Sequence, residues 1–120
     1  MLYARCLVLL FFSGLTFSQS QTTVAPILTV KEIMNAMITP TTATIWGAYE
    51  LESESEWQEV KNAAISVIGA GNLLSMGGSA QGEALLALEA EWQQFNRQMI
   101  EAAQEVITAC LLYTSPSPRD

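Results

Sequence analysis

EALLALEAEWQQFNRQMIEAAQEVITA, residues 83–109, decides the fold. Leu85, Leu88, Trp92, Phe95, Met99, Ala102 and Val106 recur at alternating spacings of three and four, the a/d seam of an antiparallel bundle helix. No stretch of the chain shows convincing strand alternation, so this seam needs other helices to cover it.

The segment before it supplies one. In SESEWQEVKNAAISVIGAGNLLSM, residues 53–76, Ser53 and Glu56 have the spacing of a capping box. Trp57, Val60, Ala64, Val67, Ile68, Gly71 and Leu74 then keep one face apolar, and Gly77-Gly78 provides a left-handed stop. Gly69, Ala70 and Gly71 interrupt the good helix formers, each glycine costing roughly 1 kcal/mol against alanine. Their smallness implies that something approaches closely, either a flat ligand or a neighbouring helix.

A further helix starts at TVKE, residues 29–32, a second capping box, with Leu28 and Ile33 placed as a hydrophobic staple. Val30, Ile33, Met34, Met37 and Ile38 recur at helical spacing. Pro40 removes one backbone hydrogen bond and predicts a kink, while Ile45, Trp46 and Tyr49 resume the stripe beyond it. The expectation is an all-α fold with helices over about 29–49, 54–76 and 83–109: three helices of an up-down four-helix bundle whose fourth is missing.

The two ends read differently from this middle. Residues 1–20 carry Arg5, the apolar run Cys6 to Phe12, and small polar residues suited to cleavage after Ser18 or Ser20. That is the pattern of a secretory signal peptide, and its apolar core is shorter than the roughly 20 residues a membrane span needs. Residues 21–28 form a short lead containing Pro26. CLLYTSPSPRD, residues 110–120, is foreign in composition to the helix before it and resembles a translated sequencing adapter, so it is expected to be a non-native tail.

Residues 21–109 hold three basic side chains, Lys31, Lys61 and Arg97, against eleven glutamates. A net charge near minus eight repels phosphate backbones and argues against nucleic acid as a partner. Without flanking Lys and Arg the apolar seams do not suit a membrane surface after signal cleavage. This middle part has no Cys and no His, which excludes disulfides, thiolate chemistry, most zinc sites and the Ser/His/Asp or Cys/His nucleophiles. Glu50, Glu52, Glu54 and Glu56 cluster, but alternate glutamates in a loop make a solvated acidic face more readily than an acid/base pair. They also lack the Asp, Asn and Gly of a calcium loop. The reading is therefore not an enzyme.

TVKEIM, then ITP and IW within 38–46, EWQEVKNAA at 56–64, GNLLSM at 71–76, and a helix carrying Trp92, Phe95 and Ala102-Ala103 together resemble the exported c-type cytochromes of the four-helix cytochrome c-prime type. The resemblance covers about residues 28–109. It implies a periplasmic haem protein for electron transfer or haem-based binding, with haem c held in the intact parent by CxxCH on a fourth helix. The chain departs from the pattern there: Cys110 has no partner cysteine or histidine beside it, so covalent attachment is impossible in this chain. The resemblance points to Met34 as an axial haem ligand, with Met37 as the fallback, and to Trp46 and Gly71 as pocket lining. Core filling is the competing role for the methionines and for Trp46, Trp57 and Trp92. Redox partner proteins and a homodimer are the implied assemblies.

A haem-free exported helical binding or structural module is the alternative. In either case large apolar side chains without a covering helix forfeit roughly 1.5–3 kcal/mol each, and a handful equals the roughly 5–15 kcal/mol stability of a domain. Residues 21–109, expressed alone, are therefore expected to be aggregation-prone, dimeric or molten. Light scattering coupled to size exclusion and a thermal melt check this: a monomer with a sharp cooperative transition contradicts it.

Overall fold

A computed structural model describes residues 24–114, together with Gly14. The expected signal segment at 1–20 otherwise lies outside the described residues, as do 115–120 of the expected tail. The described fold is all-α. Its elements are α1 (Val30–Ile33), a π turn (Met34–Ile38), α2 (Thr39–Trp46), α3 (Glu54–Leu74), a 3₁₀ segment (Glu83–Leu88) and α4 (Ala90–Thr114). The α1–α2 arm packs on one side of α3 and α4 packs along another, so α3 is the centre. None of the described helices is long and apolar enough to cross a membrane.

Both capping boxes form. Thr29 Oγ1 accepts from the Glu32 N–H at 3.1 Å while Glu32 accepts from the Thr29 N–H at 2.8 Å. Ser53 and Glu56 make the same reciprocal pair at 3.2 and 2.9 Å. Two of the orphan donors at each helix start are satisfied in this way. Leu28 and Ile33 border one apolar recess, Ile33 buried and Leu28 at 40 % exposure.

The expected kink at Pro40 takes another form. The Thr39 N–H reaches back five residues to the Met34 carbonyl, and the strand of helix from Met34 to Ile38 is a π turn. One wide turn accommodates a proline that has no N–H to give and whose ring crowds the carbonyl four residues earlier. This changes which residues share a face. Positions five apart are about 140° apart on an α-helix, but a π turn of about 4.4 residues brings them within about 50°. Ile33 and Ile38 are accordingly both buried, and Met34, expected on their face, is 38 % exposed. Hydroxyls of Thr41 and Thr42 donate to the carbonyls of Met37 and Ile38 just before the proline.

On α3 the buried residues are Val60, Ala63, Ala64, Val67, Ala70, Gly71 and Leu74, the expected stripe widened by Ala63 and Ala70 because two partners pack on it. The helix ends at Leu74, and Gly77, with φ of +79°, makes the left-handed stop. Gly71 answers the question posed by the small triplet in this chain. A Cβ there would lie 2.7 Å from Ile100 Cγ1 and 3.4 Å from Met99 Cε, so its missing side chain admits α4. Gly69 faces open space.

The helix expected over 83–109 divides. Leu85 and Leu88 belong to the 3₁₀ segment and are exposed, and α4 starts at Ala90 and runs through Thr114, into the expected tail. Its inner seam is also one position away from the expected one. Trp92, Met99 and Val106 pack against the core as anticipated, but Ala103 is buried where Ala102 was expected, and Asn96 is buried while Phe95 is 65 % exposed. The seam in use continues to Cys110, also buried. Burial pushes its thiol above the ordinary value of 9.0, with Lys61 opposing in smaller measure.

Gly71→Ala is expected to lower stability by about 1–3 kcal/mol through overpacking at Ile100, whereas Gly69→Ala should raise it by about 0.5–1 kcal/mol through helix propensity. Denaturant titration of the two variants beside the parent checks the opposite signs.

Candidate functional site

The open side of this assembly lies between α2 and α4. Val67 of α3 forms its floor, Thr42, Ile45 and Trp46 one wall, and Met99, Ala102, Ala103 and Val106 the other. The cleft measures about 180 Å³. Thr42 does not make the wall polar, because its hydroxyl donates to the Ile38 carbonyl at 2.7 Å within its own helix. Trp46 stands at the mouth, 74 % exposed. An apolar recess of about 270 Å³ lies elsewhere, under the chain from Val24 to Leu28, with Ile33, Leu73 and Met76. Both volumes fall below the roughly 300–1,000 Å³ common for small-molecule and cofactor pockets. A broader depression along Glu101, Gln104, Glu105, Thr108 and Leu112 has one helix for its lining and is an open surface rather than a pocket.

The start of α4 is tied to the end of α3 by side-chain hydrogen bonds. Trp92 Nε1 donates to the Leu74 carbonyl at 2.6 Å, and Gln93 Nε2 donates to the carbonyls of Ser75 and Ala87 at 2.7 and 2.9 Å. Two side chains at the start of α4 thus reach carbonyls at the end of α3: that of Ser75, and that of Leu74, which also accepts from the Gly77 N–H at 2.9 Å. Glu83 does the reciprocal task for the first helix: its carboxylate accepts from the Val30 N–H at 3.1 Å and the Ala80 N–H at 3.2 Å. Ser79 donates to the Leu28 carbonyl at 2.9 Å alongside. Gly78 leaves room for that carboxylate, since a Cβ there would meet Glu83 Oε2 at 2.0 Å.

The residues singled out in the sequence do not converge on one pocket. Trp46 lines the α2–α4 cleft. Met34 is partly exposed at the start of the π turn, Met37 is half-buried against the core, and Gly71 is covered by Ile100. Trp57 and Trp92 are half-buried, and Trp92 carries the hydrogen bond to Leu74. Glu83, Gln93 and Asn96 were not anticipated; nothing in a one-helix pattern shows that a side chain will reach the terminus of a different helix. The pairing of Asn96 Nδ2 with the Trp92 carbonyl at 3.0 Å explains how a polar residue occupies the inner seam.

Glutamates 50, 52, 54 and 56 are exposed, with Glu50 in a left-handed conformation at φ of +50°. Among the described residues no three His, Cys, Asp or Glu side chains come together in a way that could hold a metal. Glu56 has a structural task instead, accepting from the backbone N–H groups of Ser53 and Glu52, and these bonds hold its carboxyl below the ordinary value of 4.5. The site does not fit covalently attached haem either: the chain has no histidine, and its two cysteines are Cys6 and Cys110, far from a CxxCH spacing.

No protein-family model matches the chain, and no curated protein or solved structure shows significant similarity to it.

Because the folded pKa of Glu56 lies below its unfolded value, its stabilising contribution is complete above about pH 4.5 and is lost as pH falls through the folded value. Glu56→Gln should therefore remove part of the acid-side loss of stability between those two pKa values. Melting temperatures of parent and variant across pH 2–7 check this, and parallel curves contradict it.

Proposed function

We propose that the chain is the three-helix portion of an exported, periplasmic c-type cytochrome of the four-helix type, with the α2–α4 cleft as the place where the helix bearing the haem-attachment motif is received. The observation that carries this reading is the uncovered apolar mouth of that cleft: Trp46 stands 74 % exposed across from Met99 and Val106, and Phe95, one turn before Met99 on α4, is 65 % exposed. Side chains of this size seldom gather on a free surface without a partner. Of the strings that carry the resemblance, IW on α2 lines the cleft, while TVKEIM falls on α1 and the π turn and EWQEVKNAA and GNLLSM fall on α3 and its end, away from the cleft lining. Met34, 38 % exposed while its neighbours Ile33 and Ile38 are buried, is the methionine offered as an axial ligand.

The second reading, a haem-free exported helical binding or structural module, is favoured by the small volumes of the described recesses, about 180 and 270 Å³. Both readings involve electron-transfer or protein partners rather than a reaction performed by these residues.

An independent long sequencing read through codon 109 in source DNA separates them. The cytochrome reading expects Cys-x-x-Cys-His within about a helix's length downstream, and a continuation without it leaves the module. The present chain, produced alongside haem-attachment machinery, is expected to show no haem absorbance after denaturation and acid extraction; a persistent Soret band contradicts that.

A further inference from the structure

We infer that the α2–α4 groove is a docking surface for one amphipathic helix whose apolar stripe is flanked by Lys or Arg. The inference rests on the reading that the three helices belong to a larger bundle, and it specifies the chemistry of the helix that completes it.

The helical nature of the occupant follows from α4. Its buried seam engages α3 through Ala103 and Asn96, yet Phe95, Met99, Ala102 and Val106 form a second seam with spacings of four, three and four. Met99 and Val106 serve both seams, whereas Phe95 and Ala102 are exposed. A heptad-spaced row is a set of knobs and holes for another helix, and a helix facing it would meet α2 at Ile45 and Trp46 on its other side. The groove's volume of about 180 Å³ is too small for a typical compact ligand.

The rim decides the charge. Glu91 precedes Phe95 by four residues and Glu105 follows Ala102 by three, so both carboxylates stand beside the exposed seam, and both are exposed. The opposite wall, Thr39–Trp46, has no charged residue. Arg97, the basic residue of α4, falls nearly opposite Met99 around the helix at about 100° per residue. The rim is therefore acidic on one side and neutral on the other. A second copy of this chain would bring glutamates against glutamates, whereas a helix with flanking cations would pair with them.

The test uses the full chain and two synthetic helices of about three heptads, both with Leu and Ala at a and d and free of Cys and His, one flanked by Lys and its twin by Glu. At low salt the Lys-flanked peptide is expected to bind one-to-one, about tenfold or more tighter than its twin. Phe95→Glu should abolish binding, and Glu91→Lys with Glu105→Lys should reverse the peptide preference. Equal binding of both peptides to parent and charge-swapped chains overturns the inference, as does binding of neither. A stable dimer that Phe95→Glu dissociates and the Lys-flanked peptide does not displace assigns the groove to a second copy and overturns it too. Since the peptides carry no haem-attachment residues, failure here leaves the downstream CxxCH expectation standing, and failure there leaves this result intact.

Discussion

The close crossing of α3 and α4 is the contact on which the rest of this structure depends. Ala64 and Ala70 have no exposed surface, Gly71 has Ile100 where a side chain would begin, and Ala103 fills the facing position. Small residues let two helices approach until large neighbours such as Val67, Leu74 and Met99 interlock around them. The approach also brings Trp92 and Gln93 within reach of the carbonyls at the end of α3. An apolar crossing thus determines where the polar bonds of the helix ends are made.

The first helix is attached by a different means. Ile33 and Ile38 would lie on different faces if Met34–Ile38 were α-helical, and the π turn aligns them at the expense of exposing Met34. The arm is then secured at its start by Glu83 and Ser79 from the loop after α3. Covalently distant segments, residues 28–30 and 78–83, are joined there by backbone groups that neither could satisfy alone.

These two attachments leave a groove between α2 and α4. Val67 and Ala103 at its base belong to the core and Ile45, Met99 and Val106 pack against it, while Trp46, Phe95, Glu91 and Glu105 are exposed beside them; the proposed function and the proposed docking partner both concern this face.

Helix identity was legible from the amino-acid sequence because it is local. The capping boxes at Thr29 and Ser53, the stop at Gly77 and the apolar stripe of α3 require only neighbours within a few residues, and each is found where the residue pattern places it. Seam choice was not legible. Phe95 and Asn96 differ by one position, and the heptad that includes Phe95 is the more apolar, so pattern alone favours it; the crossing at Gly71 selects the other. The π turn also needed the tertiary structure, since Pro40 predicts a disturbance but the burial of both Ile33 and Ile38 determines its form. Of the singled-out residues, Trp46 reached the cleft and Met34, Met37 and Gly71 did not, because their sites depend on turn geometry and helix approach. What the chain's order of residues determined is where the capped helices begin and which stripe of α3 is apolar; what packing decided is where α4 begins and which of two adjacent apolar seams is buried, since that depends on the shape of a distant surface.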